Sequence, residues 1–163
     1  MRSLEDSLAD AREILAGLSI EAVVIGAVAA LRYRASARAT SDIDLLVESI
    51  EGVREAFEQR GYKVEEIADP GGIPFLLAAQ GDGVRIDIML AETEYQVGAL
   101  RRAQDGFLSP EDVIVHKLVA WRPRDRDDIE SILSTKESMD VAYIEQWARE
   151  WGVSDRWTEI KPG

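Results

Sequence analysis

The sequence predicts an α+β fold, in which a small mixed sheet is flanked by helices and followed by a C-terminal helical part. Two observations predict this fold. Segments in which apolar and polar residues alternate lie between helical segments up to about residue 103, and only helical spacing follows. The 163 residues are 46% apolar, which suffices for one substantial core. We therefore expect an α/β core over residues 1–103 and a helical extension over 104–163, packed together as a single compact unit.

The first predicted elements are a helix, a strand and a second helix. Leucine and alanine recur at helical spacing over residues 4–18, which predicts an amphipathic helix that ends near Gly17. The apolar run at 20–25 is typical of a buried strand. Gly26 interrupts this run, and small residues over 27–33 predict a helix that follows without a long loop. The strand, the glycine turn and the helix N-terminus therefore follow one another directly.

The next predicted strand carries two acidic residues on one face. Asp42 and Asp44 alternate with Ile43, Leu45 and Val47. Because successive side chains of a strand point to opposite faces, both carboxylates lie on one side of the sheet and the apolar residues lie on the other. The two carboxylates are therefore neighbours in space.

Residues 53–90 predict one more helix and three more strands. The helix ends at Gly61, and strands are expected at 62–67, 75–79 and 84–90. A hairpin turn rich in glycine joins the last two strands. In the final strand Asp87 alternates with apolar residues and so faces away from them.

The remaining pattern is helical. Helices are expected at 92–102, from Ser109 onwards, at 124–133 and at 140–150. Ser109 is predicted to cap its helix, with Pro110 in the first turn and Asp112 completing a capping box. Trp147 and Trp151 share the apolar face of the last helix, where core packing is favoured over base stacking.

The composition narrows the classes of function. A net charge of -12 argues against a protein that coats nucleic acid, although arginines cluster locally at 32–38 and 122–126. The sequence has no cysteine, so a metal ion would be held by oxygen or, as the less favoured alternative, by the single His, and hard cations such as Mg²⁺ fit best. No apolar run is long enough to span a bilayer and no secretory signal opens the chain. We expect a cytoplasmic protein with no membrane partner.

Three acids and a glycine turn together suit a nucleoside triphosphate. Two divalent ions bridging phosphate oxygens to carboxylates would need about three carboxylates, and Asp42, Asp44 and Asp87 supply them. The backbone N–H groups of Gly26 and Ala27 open a helix, where unsatisfied donors and the positive dipole end favour phosphate. Two acids at alternate positions also arise by chance in so acidic a chain, and the joint order of the elements favours the metal site.

Three motifs follow one another between residues 23 and 133. Val24-Ile25-Gly26-Ala27 is followed after fourteen residues by Asp42-Ile43-Asp44-Leu45, and later by Ile86-Asp87-Ile88. This order resembles the nucleotidyltransferase superfamily, whose fold is polymerase-beta-like. The segment 38–44 resembles the AbiEii class and its minimal relatives, which include toxin–antitoxin enzymes. The later block 109–120, closed by Arg124-Asp125 and Asp128, is similar to that class as well.

The resemblance implies roles for several residues. Asp42 and Asp44 would bind the metal ions, and Asp87 would complete the site and assist deprotonation of the acceptor. Lys117 and Asp125 would approach the nucleotide. The family's usual Gly-Gly or Gly-Ser is replaced by Gly-Ala at 26–27, which removes a hydroxyl contact to phosphate and keeps the backbone donors. The Lys/Arg motif that some toxin members carry between these blocks is missing.

Other candidate residues keep two interpretations. Lys117 lies on the inward face of its predicted helix, where its partner is either a phosphate or a structural acid, Asp125 or Asp128. Arg38 and Ser41 precede Asp42 directly and either contact the triphosphate or belong to an ordinary loop. The single His116 lies off the inward face, which favours a surface role.

The leading hypothesis is a magnesium-dependent nucleotidyltransferase that moves a nucleoside monophosphate from an NTP to an acceptor hydroxyl and releases pyrophosphate. Two Mg²⁺ ions are expected, with Mn²⁺ as an alternative. The acceptor is either a tRNA or other RNA end or a side chain of a partner protein, such as a cognate toxin or antitoxin. The alternative is a catalytically weak or inactive module that binds a nucleotide or a partner, as an antitoxin does. The sequence gives no base preference and no oligomeric state.

Overall fold

The computed structural model describes residues 2–135 and 137–163. The first part of the chain contains three helices and five strands, of which the last three strands follow one another directly, and the elements described after the fifth strand are helices. The elements are α1 (Leu4–Gly17), β1 (Ala22–Ile25), α2 (Gly26–Tyr33), β2 (Asp42–Val47), α3 (Val53–Gln59), β3 (Lys63–Ala68), β4 (Pro74–Gly81), β5 (Val84–Leu90), α4 (Glu94–Arg102), α5 (Pro110–Ala120), α6 (Pro123–Ser134), α7 (Val141–Glu150) and α8 (Ser154–Ile160).

The five strands form one mixed sheet in the order β1-β2-β5-β4-β3. Strands β2 and β5 are parallel, and the other neighbouring pairs are antiparallel. The predicted α+β fold with a small mixed sheet is therefore confirmed. The central parallel pair sets Asp42 opposite Arg85 and Asp44 opposite Asp87.

The central strands have one apolar face and one acidic face. Ile43, Leu45, Ile86 and Ile88 are fully buried. The carboxylates lie at the intervening positions, as the alternation predicts. Helices α1 and α2 both pack against β2, and α2 also packs against β1. The apolar and acidic residues that alternate along the sequence of these strands thus lie on opposite faces of the sheet.

The C-terminal helices pack onto the α/β part through α5. This helix contacts α2, α6 and α7. A single cluster of buried apolar side chains includes Leu45 and Ile88 of the sheet together with Ile114, Leu118 and Ile132 of the helices. Of the helices within residues 2–135 and 137–163, none has the length and apolar character that crossing a bilayer requires.

Two details differ from the sequence prediction. Ser109 caps α5 by accepting a hydrogen bond from the Asp112 backbone N–H at 3.1 Å, but Asp112 does not complete a capping box. Its carboxylate is fully buried and accepts hydrogen bonds from Tyr95, Tyr143 and Arg102. These donors come from α4 and α7, so Asp112 joins three helices. The terminal helix α8 is absent from the sequence prediction, because its seven residues are too few to show a helical period.

Candidate active site

The turn between β1 and α2 lies directly against the acidic strand β2. Ile25 pairs with Asp44 in the β1–β2 ladder, and Gly26 follows with a φ of 66°. A Cβ atom on Gly26 would lie 2.3 Å from Asp44 Oδ2 and 3.1 Å from Asp44 Cβ. Glycine is therefore required twice, for the left-handed backbone and for the close approach of the Asp44 carboxylate.

The first turn of α2 has no side-chain cap. Ile25 occupies the N-cap position and has no polar group to accept from the backbone N–H groups that follow. Gly26 and Ala27 open this turn beside Asp44. Unsatisfied N–H groups and the positive end of the helix dipole are the features that bind an anion such as phosphate.

Three carboxylates are neighbours across the parallel strand pair. Asp42 and Asp44 lie two residues apart on β2, and Asp87 lies opposite Asp44 on β5. Burial, followed by the charges of Asp87 and Asp42, raises the pKa of Asp44 to about 6. The positive charges of Lys117 and Arg122 lower the pKa of Asp44. Asp44 thus lies where negative charge accumulates and where a cation would be stabilised.

The outer two carboxylates are bonded to their neighbours. Asp87 Oδ1 accepts from Arg85 Nε at 2.8 Å, and Asp42 Oδ1 accepts from Ser41 Oγ at 3.3 Å. Across the described ranges, no three Asp, Glu, His or Cys side chains converge in the geometry of a metal site. The donor set is nevertheless all oxygen and strongly negative, which fits a hard divalent cation. The metal ligands Asp42, Asp44 and Asp87 remain a prediction.

Lys117 faces inward, as the helical spacing predicts, and is 5% exposed. Its Nζ lies 3.0 Å from Asp125 Oδ1 and 3.0 Å from Asp128 Oδ2. Both carboxylates are fully buried. The ammonium group is therefore held between two structural acids, which is one of the two interpretations of the sequence, while its charge still acts on Asp44.

Asp128 also binds the chain that leads into β2. Arg38 donates to it through Nε at 2.7 Å and Nη2 at 2.8 Å, and Arg34 donates at 2.6 Å. The hydrogen bonds from Arg38 and Lys117 outweigh burial and lower the pKa of Asp128 to about 2. Arg38, a candidate for the triphosphate, thus anchors the loop before Asp42 to α6. The sequence does not predict the contribution of Arg34, because this residue and α6 are distant along the chain.

Arg122 is a site residue that the sequence motifs do not single out. It bonds Asp125 through Nε at 2.6 Å, and 52% of its side chain remains exposed. Its positive charge, like that of Lys117, lowers the pKa of Asp44. Its place one residue before Pro123 and three before Asp125 is the signal that could have identified it, since the Asp125 carboxylate then accepts from the Arg122 backbone N–H at 2.9 Å.

A cavity of about 400 Å³ adjoins this site. Gly26, Asp44, Lys117, Arg122 and Asp125 belong to its lining. Apolar and aromatic side chains make up most of the remainder, namely Ile25, Leu46, Met89, Tyr95, Val115, Val119, Ala120 and Trp151, with Thr93, Gln96 and His116 among them. The lining therefore combines charged groups with a larger number of apolar ones.

Two aromatic predictions have different outcomes. Trp147 packs against the core, 4.6 Å from Tyr95 between ring centroids, as predicted. Trp151 is 44% exposed and lines the cavity, so core packing is the wrong interpretation for it. The reason is its position: it lies just beyond the end of α7, at the C-cap. His116 is half-buried and also lines the cavity.

Comparison with known proteins gives matches among solved structures only. No protein-family model and no curated protein matches the sequence. A crystal structure of ANT(2'')-Ia in complex with adenylyl-2''-tobramycin aligns with a TM-score of 0.63 at 14% identity, over 93% of this chain and 97% of that chain. A solution structure of the antibiotic-resistance factor ANT(2'')-Ia gives a TM-score of 0.62 at 14% identity, over 93% and 91%.

A further match is a nucleotidyltransferase-like protein. The antigenic nucleotidyltransferase-like protein from Paracoccidioides brasiliensis aligns with a TM-score of 0.51 at 16% identity, over 94% of this chain and 90% of that chain. At identities this low, the structural alignments show a shared fold. Each alignment covers nearly the whole length of this chain and of the matched chain. The chain has the nucleotidyltransferase fold.

Proposed function

We propose that the protein is a magnesium-dependent nucleotidyltransferase, which transfers a nucleoside monophosphate from an NTP to an acceptor hydroxyl and releases pyrophosphate. The observation that carries the proposal is the contact between Gly26 and Asp44. It sets an uncapped helix N-terminus, which suits phosphate, against a carboxylate cluster, which suits divalent cations. Neither feature alone would require a nucleotide, but together they match a metal-bound triphosphate.

Each residue of the site has a separate proposed role. Asp42 and Asp44 would hold Mg²⁺, which when bound screens the negative charge of the triphosphate and aligns the α-phosphorus. The N–H groups of Gly26 and Ala27 bind the outer phosphates. Asp87 turns from Arg85 towards the acceptor, orients its hydroxyl and takes its proton.

In the transfer step, the acceptor oxygen forms a bond to the α-phosphorus while the bond from that phosphorus to the bridging oxygen of pyrophosphate breaks. The electron pair leaves with pyrophosphate, and the positive charge of Lys117 and Arg122 stabilises it. Lys117 is held in place by two acids, whereas Arg122 keeps an exposed side chain that can contact the leaving group.

The pairing of the surface arginines bears on the nature of the acceptor. Five of the six arginines in the clusters at 32–38 and 122–126 are paired with carboxylates: Arg32 with Asp105, Arg34 and Arg38 with Asp128, Arg122 with Asp125 and Arg126 with Glu159. These pairs leave little free positive charge for an RNA backbone. A protein side chain, in a toxin–antitoxin or AbiEii-like system, or a small cationic molecule suits the acidic chain better.

A labelled-transfer experiment tests the proposal. The protein is incubated with Mg²⁺ and each NTP labelled at the α-phosphate, together with total tRNA, a cell extract, or tobramycin, whose adenylyl derivative is bound in the ANT(2'')-Ia structure. We expect the label to appear on a protein band or on a small molecule. Asp44→Asn should abolish this labelling. Asp155→Asn, which removes an exposed acid on α8, should retain it. Transfer that is equal in Asp44→Asn would contradict the proposed site.

A second candidate is an inactive nucleotide-binding module. The hydrogen bond between Arg85 and Asp87 favours it, because the guanidinium already occupies one oxygen of the third carboxylate. An NTP that binds with Mg²⁺ dependence and is never consumed, whatever acceptor is offered, would support this candidate over the transferase.

A further inference from the structure

The cavity beside Asp44 is lined by two groups of residues of different chemistry. Its volume of about 400 Å³ falls in the range of about 300–1,000 Å³ that small-molecule sites occupy. Gly26, Asp44, Lys117 and Arg122 form the polar and charged group. The apolar group is formed by Leu46, Met89, Tyr95, Val115, Val119 and Trp151. A ligand that fills it must therefore combine a charged part with an apolar part.

The apolar group of lining residues contains an aromatic cluster around Tyr95. Tyr95 is 4% exposed, and its hydroxyl donates to Asp112 Oδ1 at 2.7 Å. The rings of His116 and Trp151 lie around it, with centroids 5.6 Å and 6.0 Å away. Trp151 keeps 44% of its surface exposed. A planar ligand can pack against Trp151 without displacing the buried tyrosine.

The polar side chains that line the cavity together with the apolar group, His116 and Gln96, carry no charge near pH 7. Burial lowers the pKa of His116 to about 4, so its imidazole is neutral near pH 7 and offers one donor and one acceptor. Gln96 uses its oxygen to accept from the backbone N–H groups of Glu92 and Thr93, and its Nε2 lies 3.8 Å from the weak acceptor Met89 Sδ. Neutral groups of this kind suit the edge of an uncharged heterocycle and do not suit a polycation.

The position of the cavity selects the donor substrate over the acceptor. Of the residues assigned to the phosphates and their metal, Gly26, Asp44 and Arg122 belong to the lining, whereas Asp87, assigned to the acceptor, is not among the described lining residues. We propose that the cavity receives the base of the nucleoside triphosphate, with Trp151 against its face and His116 and Gln96 at its edge. This inference rests on the proposed function and adds the residues that select the base.

Calorimetry with two kinds of probe tests the inference. Each of the four NTPs is titrated with Mg²⁺ into the whole protein, and inorganic tripolyphosphate with Mg²⁺ serves as the probe without a base. The variants are Trp151→Ala, which removes the exposed ring, and His116→Phe, which keeps a planar ring against Tyr95 and removes both nitrogens. Val141→Ala is the control, because Val141 is 46% exposed on α7 and lies outside this cavity.

We expect at least one NTP to bind more tightly than tripolyphosphate. Trp151→Ala should weaken NTP binding by about tenfold, the usual effect of losing one base–aromatic stack, and leave tripolyphosphate binding and the Val141→Ala control unchanged. His116→Phe should reduce the difference in affinity among the four NTPs. Equal affinities for NTP and tripolyphosphate that neither variant alters would overturn the base site alone. If neither probe binds, the proposed function fails together with the inference.

Discussion

Gly26 and Asp44 are in such close contact that any side chain on Gly26 would displace the Asp44 carboxylate. The β1–β2 register brings the two residues together, and the φ of 66° at Gly26 turns the chain from strand into helix at the same point. The phosphate turn and the carboxylate cluster are therefore one structural unit, and a change in one changes the other.

Gly26→Ala should lose both stability and nucleotide binding. The left-handed backbone costs about 1 kcal/mol for an alanine, and the contact of 2.3 Å with Asp44 Oδ2 adds to it. Gly61→Ala is a matched control, because Gly61 has a φ of 89° and nothing within 4 Å of an added methyl group. In urea unfolding, Gly26→Ala should have a much lower free energy of unfolding than Gly61→Ala. In calorimetry with Mg²⁺ and an NTP, Gly26→Ala should also bind the nucleotide much more weakly. Equal losses in the two variants would mean that the contact is unimportant.

Asp44→Asn should stabilise the protein near neutral pH while abolishing activity. The pKa of Asp44 is raised from 3.8 to about 6 in the folded state, so folding opposes its ionisation. The resulting stability is complete below pH 3.8 and is lost as the pH rises through about 6. Removing the charge should therefore increase the free energy of unfolding at pH 7.5 by about 1–3 kcal/mol.

Thermal unfolding in EDTA, at pH 4 and at pH 7.5, checks this prediction. The gain from Asp44→Asn should be present at pH 7.5 and largely absent at pH 4, where the native carboxyl is already protonated. A variant that is less stable than the parent at pH 7.5 would show that the ionised carboxylate is satisfied by the fold itself.

Lys117→Met should destabilise the protein strongly. The ammonium group pairs with two fully buried acids, and removing one partner of a buried ion pair costs about 3–5 kcal/mol. The loss should be at the low end of that range, because Arg38 still pairs with Asp128. Lys161→Met is the control, since its 3.7 Å pair with Glu145 is exposed and contributes about 0–1 kcal/mol. Losses of similar size in the two variants would contradict the structural role of Lys117.

Arg122→Gln should reduce transfer far more than Arg126→Gln. Both arginines are paired with a carboxylate, but Arg122 lines the cavity beside Asp44, whereas Arg126 binds Glu159 and is not among its lining residues. Loss of one charged contact to the leaving pyrophosphate corresponds to a fall in kcat of about 10²-fold. Steady-state kinetics with the preferred NTP measures it. Equal kcat values for the two variants would remove Arg122 from the mechanism.

Much of the site could be predicted because its signals are local. The alternation around Asp42 and Asp44 determines which face of β2 carries the acids, and the break at Gly26 marks the turn into α2. The inward face of Lys117 likewise follows from helical spacing within α5. Each of these predictions depends on residues close together in the chain, where strand and helix periods determine direction.

The remaining features depend on contacts between distant segments. Asp128 binds Arg38 across ninety positions and Tyr143 reaches Asp112 across thirty-one, and no local period encodes either pair. Trp151 continues the apolar stripe of α7, which predicts core packing, yet the helix ends before it. The roles of these residues follow only from the packing of α5, α6 and α7 against one another.

The most direct test of the central claim is Mg²⁺-dependent NTP binding, measured by calorimetry on the parent and on Asp44→Asn, with Asp155→Asn as the control. The proposed site predicts that the parent binds an NTP with Mg²⁺ and loses this binding in EDTA. It also predicts that Asp155→Asn behaves as the parent and that Asp44→Asn does not bind. Binding that is unchanged by EDTA, or an Asp44→Asn variant that binds as tightly as the parent, would contradict a metal-bound nucleotide at Asp44.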